Sequence, residues 1–179
     1  MSSSKKPAWR EHVESIVLGV ALALVIRAFI IQAYKIPSGS MRPTLMEGDR
    51  ILVNKFIYRF REPARGDILV FRYPEDRKRD FIKRLTGLAG DVVAIRAGHL
   101  VINDQPVTAP PFDRVPYVNR GDLGDERATV TVPPGMYFML GDNSSSSRDS
   151  RYWGFVPRDD VIGKALVIFW PPRRWKVIR

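Results

Sequence analysis

Two serines, Ser38 and Ser40, stand in the stretch Ile36-Pro37-Ser38-Gly39-Ser40-Met41-Arg42-Pro43-Thr44-Leu45. A serine hydroxyl becomes a working nucleophile only beside a base that takes its proton. The two prolines fix φ near about −65° and push the residues before them towards extended backbone, so no helix is expected here. In an extended stretch Ser38 and Ser40 face the same side, and Gly39 lets the chain pass close to another body. That arrangement suits a nucleophile and a helper. Read alone, the same residues are an ordinary turn, so the question is whether the chain supplies a base.

There is no cysteine, which excludes a disulfide framework, a thiol nucleophile and cysteine-ligated metal sites. Imidazole comes only from His12 and His99. His12 precedes the long apolar run and is expected across a membrane from Ser40, while His99 follows Ala97-Gly98 at an expected hairpin turn. A Ser-His-Asp triad is therefore not supported, and nothing resembles H-E-x-x-H or another metal-ligand cluster. Lysine remains. With a reference pKa of about 10.4, fewer than about one lysine in a thousand is neutral at pH 7. A working lysine base needs its pKa lowered by about two to three units, roughly 3 to 4 kcal/mol of destabilisation of the ammonium form, which requires burial.

Lys83, in Asp80-Phe81-Ile82-Lys83-Arg84-Leu85, is the well-placed candidate. In a strand it shares a face with Phe81 and Leu85 while Arg84 points away. The alternative is an edge-strand lysine paired with a carboxylate. Lys78 and Arg79 lie in a charged loop and read as solvated. A desolvated lysine also needs a hydroxyl to hold its amine without restoring the charge. The loop 141–151, Gly-Asp-Asn-Ser-Ser-Ser-Ser-Arg-Asp-Ser-Arg, offers five serines, and its Asp149 and Arg151 could form a supporting ion pair. Such a loop could be a flexible linker. The sequence Tyr152-Trp153-Gly154-Phe155-Val156-Pro157 that follows is too aromatic for one.

These groups need elements to position them. Residues 16–26 are an unbroken apolar run inside 13–33, and extending the count to Ile31 approaches the lower limit of about 17 residues for a membrane-spanning helix. The reading is a retained anchor. Lys5, Lys6 and Arg10 before it suit a cytoplasmic start, although Arg27, Lys35 and Arg42 blur the asymmetry. The rivals are a cleavable signal peptide, for which Ile31-Gln32-Ala33 is a poor cleavage site, and a buried soluble helix. Beyond Leu45 the chain breaks into short apolar or alternating segments, and 50–56, 68–73, 80–85, 91–96, 100–103, 128–132, 136–140 and 161–170 all read as strands. Turns are marked by Arg65-Gly66-Asp67, Ala97-Gly98, Asn103-Asp104 and Pro133-Pro134-Gly135. No later segment has helical periodicity. Residues 106–125 read as an exposed excursion, and 170–176, mixing tryptophan with basic groups, as either a headgroup-layer segment or a solvated tail. The class is mainly β, antiparallel and sandwich- or barrel-like, with one membrane helix in front. A net charge of +10, from 29 basic and 19 acidic residues, favours an anionic neighbour, phospholipid or nucleic acid.

Assembled in order, the segments IPSGSMRPTL after an N-terminal span, GDILVFRYP, DFIKRLTGLAGD and GDNSSSSRDSRYWGFVP resemble the bacterial type I signal peptidases, membrane-anchored serine proteases with a Ser-Lys dyad. The resemblance implies Ser40 as nucleophile and Lys83 as general base. It implies an oxyanion hole made by the main-chain N–H of Ser40 and the hydroxyl of Ser38, and a lysine-positioning role for Ser147, with Ser146 a rival because the four-serine run departs from the more charged version in some members. Asp149 and Arg151 become the supporting pair. Tyr34, Ile36, Met41, Leu45, Phe81 and Ile82 match the apolar positions that form shallow pockets for small side chains. The implied activity is removal of signal peptides from exported pre-proteins after an Ala-x-Ala-like site, without metal or cofactor. The implied organisation is a cytoplasmic tail (1–12), a transmembrane anchor (13–33) and an extracytoplasmic antiparallel β-sheet peptidase domain (34–179) in the bacterial cytoplasmic membrane, against anionic phospholipid. A membrane-tethered β module without catalysis is the alternative, and nucleic-acid binding has no motif behind it.

Overall fold

The computed structural model describes residues 8–178, so most of the expected tail, residues 1–7 with Lys5 and Lys6, lies outside it, as does residue 179. Helix α1 (Ala8–Phe29) leads into strands β1 (Ile31–Lys35), β2 (Arg50–Asn54), β3 (Ile68–Tyr73), β4 (Asp76–Gly87), β5 (Val92–Arg96), β6 (His99–Ile102), β7 (Gln105–Pro106), β8 (Val130–Thr131) and β9 (Met136–Leu140). A one-turn helix α2 (Ser150–Trp153) and strands β10 (Val156–Pro157), β11 (Val161–Trp170) and β12 (Lys176–Val177) complete the chain.

The helix ends because sheet pairing takes over its backbone groups. The Ile30 carbonyl receives the N–H of Lys55 at 2.9 Å, and β1 pairs antiparallel with β2, Ile31 opposite Asn54 and Lys35 opposite Arg50. Ala33, expected inside the anchor, is therefore a strand residue, and the helix itself ends at Phe29. Among the described residues no helix is long and apolar enough to cross a membrane. Every described side chain of α1 from 9 to 24 is exposed, so the body of the protein covers none of its faces.

The larger sheet runs in the order β1, β2, β11, β3, β4, β9, β10, with β12 on β11; the smaller runs β7, β6, β5, β8. Every pairing is antiparallel. Strand β3 is apolar at successive positions because both its faces are covered: Ile68 and Val70 pack with Ile51, Val53 and Ala165, while Leu69 and Phe71 pack with Leu85, Met139 and Val156. Each such side chain, fully buried, contributes about 1.5 to 3 kcal/mol. The smaller sheet encloses a further cluster in which Val93, Leu100 and Ile102 meet Phe138 and Leu140. Its tight hairpins are the expected ones. Ala97 and Gly98 (φ 46° and 80°) join β5 to β6, and Asn103 and Asp104 (φ 52° and 62°) join β6 to β7, the paired positive φ values that two-residue hairpins require.

Three expectations are corrected. The 106–125 segment is not simply an exposed excursion, since Phe112 and Tyr117 are buried in the cluster under the smaller sheet. The 170–176 ending is not a loose tail: Arg174 grips Asp49 with Nε and Nη2 at 2.8 and 3.0 Å, and β12 returns to pair with β11. A helix does occur late in the chain, α2, where the Asp149 side chain accepts from the N–H of Arg151 as its N-cap.

Candidate active site

Strand β4 carries Lys83 through the middle of the larger sheet. Lys83 sits opposite Leu69 of β3, and Arg84 lies between Ile68 of β3 and Leu140 of β9, so the edge-lysine alternative does not apply. Lys83 is only 4% exposed. The prolines do not keep the serine stretch fully extended as expected. Ser38 is extended (φ −138°, ψ 159°), but Gly39–Met41 form one turn of three-ten helix closed by Arg42 N–H on the Gly39 carbonyl at 3.1 Å. The hydroxyls of Ser38 and Ser40 are still neighbours, 3.4 Å apart.

That turn sets Ser40 in front of β4. Lys83 Nζ donates to Ser40 Oγ at 2.7 Å, and Ser40 is 7% exposed. Burial pushes the Lys83 ammonium down to about 8, opposed by the carboxylates of Asp149 and Asp142 and assisted by Arg151. The face of Phe81 lies 5.6 Å from Nζ, and the ring is itself stacked on Tyr73 at 4.3 Å. An amine with a pKa near 8 is neutral in about one molecule in ten at pH 7, and its lone pair can then accept the serine proton across the same contact. An amine and a hydroxyl in hydrogen-bond reach meet the geometric requirement for a base and a nucleophile in acyl transfer.

The loop 141–151 is clamped onto the serine turn rather than flexible. Asn143 N–H donates to the Ser40 carbonyl and Asn143 Nδ2 to the Gly39 carbonyl, each at 3.0 Å. At Gly141 a Cβ would collide with Ser147 Oγ and the Ser40 carbonyl oxygen, so only glycine lets loop and turn approach this closely. Of the two serines open as lysine partners, Ser146 is exposed and Ser147 is buried. The Ser147 hydroxyl has no hydrogen-bond partner. Asp149 and Arg151, both at 0% exposure, form a fork through Nε at 2.7 Å and Nη2 at 2.9 Å. Arg151 further donates to the carbonyls of Val118 (2.7 Å), Ser144 (2.7 Å) and Ser147 (3.2 Å), which fixes the loop's path.

Of the expected apolar pocket residues, Ile36, Met41 and Leu45 belong to one buried cluster with Tyr34 and Ile82 packed against it. Phe81 belongs to a different cluster, on the Leu85 side of β4. Met41 and Leu45 have no exposed surface, whereas Tyr34 and Ile82 are partly exposed.

The sequence reading missed a second buried fork. Arg84, expected to point away from the Lys83 face, does so, but into the interior: its Nε and Nη2 meet Asp142 at 2.8 and 2.6 Å, and Nη1 meets the Gly66 carbonyl at 2.7 Å. Thr44 Oγ1 donates to the same carboxylate. Asp142 thus ties the residues after Ser40, the residue after Lys83 and the serine loop together. A charged pair set between Phe81-Ile82 and Leu85 was the available signal, but the partner lies 58 positions away.

A family model described as signal peptidase, peptidase S26, matches residues 9–170, which includes every residue of this site. The chain belongs to the signal peptidase family, peptidase S26. It is accordingly a hydrolase of that peptidase family. Relatives support the membership along nearly the whole length. A probable signal peptidase I-2 from Synechocystis sp. is 40% identical over 96% of this chain and 78% of its own. A signal peptidase I from Leptolyngbya laminosa is 42% identical over 92% and 81%. The crystal structure of a signal peptidase I from Enterococcus faecalis is 31% identical, covers 58% of this chain and 97% of its own, and has a TM-score of 0.45.

Proposed function

We propose that this chain removes signal peptides from exported pre-proteins, cutting after an Ala-x-Ala-like site, with Ser40 as nucleophile and neutral Lys83 as general base. The observation that carries this reading is the 2.7 Å contact between the Lys83 amine and the Ser40 hydroxyl in a setting that pushes the lysine down to about 8. Lys83 takes the Ser40 proton as Oγ attacks the scissile carbonyl. The developing oxyanion is met by the Ser40 main-chain N–H and the Ser38 hydroxyl, which is mobile enough in rotation to turn from Ser40 to the substrate. The ammonium then protonates the departing amine. In the second half Lys83 takes a proton from water, which attacks the Ser40 ester and releases the signal peptide. Ser147, the buried hydroxyl left unpartnered beside this turn, holds the amine once Ser40 Oγ is acylated. Asp149 and Arg151 keep the Ser147 segment in place. Tyr34, Ile36, Met41, Leu45, Phe81 and Ile82 set the preference for small side chains before the cut.

Helix α1 is the anchor in this reading, with the preceding tail in the cytoplasm and the sheets outside a bacterial cytoplasmic membrane. Its apolar part falls short of a full crossing, and the sheet supplies a continuation. Ala33, Leu52, Val167 and Val177 are register partners across β1, β2, β11 and β12, on the face opposite buried Ile51 and Val53. Two residues along the strands a parallel row holds Lys35, Arg50 and the half-exposed Trp170, cations and an indole suited to anionic headgroups.

The test is cleavage of a pre-protein with an Ala-x-Ala site by the detergent-solubilised full chain beside Ser40→Ala and Lys83→Ala. Cutting after the second Ala by the wild type alone is expected. Equal inertness of all three on several such substrates would replace the peptidase reading with a tethered binding module.

A further inference from the structure

We propose that a cationic groove beside the Ser40 turn receives the segment of substrate that follows the cut, and that it favours acidic side chains at the second and third positions of the released protein. This rests on the proposed peptidase reading. Arg42 and Pro43 follow Ser40 and line a groove of about 340 Å³ together with Arg114, Pro116, Asn143 and Ser145, and none of the apolar residues named above lines it. The groove adjoins the nucleophile directly, because the same Asn143 that lines it bonds the carbonyls of Gly39 and Ser40. A second cleft of about 530 Å³ shares Pro43, Arg114 and Asp142 with it and extends the path to Lys176. A peptide whose residues before the cut occupy the apolar side must run out on this one.

The charge available in the groove is positive. Of the carboxylates here, Asp142 is occupied by the fork from Arg84 and Glu47 by the fork from Arg42. Arg114 presents a side chain that is 81% exposed, with its neighbour Asp113 at 3.9 Å. Arg120 reaches the wall by donating Nη1 to the Ser145 carbonyl at 2.9 Å. The proline-lined walls leave few backbone donors to compete for a carboxylate, so the guanidinium groups decide the preference.

The experiment compares three peptides sharing one signal sequence and Ala-x-Ala site, with Asp, Ser or Lys at the second and third positions after the cut, using the full chain in detergent. Wild type is expected to cut the Asp peptide with a kcat/KM about threefold to fivefold above that of the Lys peptide, a ratio falling towards one in high salt, as suits exposed charges. Arg114→Ala is expected to reduce the ratio and Arg114→Glu to reverse it. Thermal melting of both variants beside the wild type shows that they are folded. Equal cutting of the Asp and Lys peptides by wild type, or an unchanged ratio in Arg114→Glu, would overturn the groove assignment while leaving the peptidase reading standing. Failure of wild type to cut any of the three would overturn the peptidase reading and the groove with it.

Discussion

Lys83 and Arg84 are consecutive cations, both buried, with opposite fates: Arg84 is neutralised by a two-pronged carboxylate, whereas Lys83 faces a neutral hydroxyl. The strand alternation sends them to different faces of β4, so the carboxylate of Asp142 forks onto one and only opposes the other's desolvation from a distance, less strongly than burial lowers it. Lys83 is thereby left as the titratable member of the pair.

We expect kcat/KM to climb with pH through about 8 as Lys83 loses its proton. Lys83→Arg keeps the positive charge and removes the titration, because guanidinium stays protonated throughout. A pH profile of cleavage by both proteins checks this. Measurable turnover in Lys83→Arg, or a wild-type rate flat between pH 6 and 9, would rule Lys83 out as the base.

Burial of the lysine also has a stability signature. Its folded pKa of about 8 lies below the reference 10.5, so the folded state holds fewer protons than the unfolded state between those values and this group's contribution to stability rises with pH across that window. Below pH 8 the cost of the buried ammonium is present in full, about 3 kcal/mol at one pKa unit per 1.4 kcal/mol. Lys83→Met should therefore be more stable than wild type at pH 6 to 7, with the gap closing towards pH 10.5. Urea midpoints at a series of pH values read this out; a gap independent of pH would contradict it.

Ser38→Ala removes a hydroxyl 3.4 Å from Ser40 Oγ without touching the Lys83 contact. A loss of about 10² to 10³ in kcat is expected, with substrate affinity little changed, if the hydroxyl donates to the oxyanion. Abolition as complete as in Ser40→Ala would mean the two serines have exchanged roles.

The unpartnered hydroxyl of Ser147 offers a separation of activity from stability. A buried polar group without a hydrogen bond costs about 1 to 3 kcal/mol, so Ser147→Ala should match or exceed the wild type in thermal stability. The same variant should be at least about tenfold slower in turnover, since Lys83 loses the hydroxyl that holds it during the second half-reaction. Paired melting and rate measurements decide the point. Wild-type turnover in Ser147→Ala would remove Ser147 from the mechanism.

Asp142→Asn leaves the Arg84 guanidinium buried against a neutral amide. Breaking a buried pair from one side typically costs about 3 to 5 kcal/mol, and the variant is expected to unfold at markedly lower urea than wild type. Replacing both members together, Arg84→Met with Asp142→Leu, should recover much of that loss. A double variant no better than the single one would show that the carboxylate matters mainly through Thr44.

The sequence revealed most where one element dictates its own surroundings. Residues 68–73, 136–140 and 161–170 are strands at the expected limits, because dense apolar and β-branched runs between turn residues leave few other ways to bury them. β1 was hidden, since Ile31–Lys35 continues the apolar run of α1 and only its pairing with β2 shows where helix gives way to sheet. β7, β10 and β12, two residues each, exist by virtue of their partners and carry no period to detect, whereas β8 falls inside the expected strand 128–132. In the site, Ser38, Ser40 and Lys83 were visible from residue type and local flanks. The Arg84 fork and the double grip of Asn143 on the serine turn were not, because each joins segments about 60 to 100 residues apart whose meeting is decided by tertiary packing.

Only Ile30 separates α1 from β1, and its carbonyl is held by Lys55. A junction this short leaves little chain between the end of α1 and the sheet, so the sheet begins directly where the helix ends. β1 then runs five residues, about 17 Å at strand rise, before the chain bends into the Ser38–Ser40 turn. With α1 seated in the bilayer as proposed, Ser40 stands at a set height above it, and the protein acts as a gauge. A substrate held in the same bilayer would be cut where its own chain reaches that height, so spacing from the membrane would select the bond along with side-chain size.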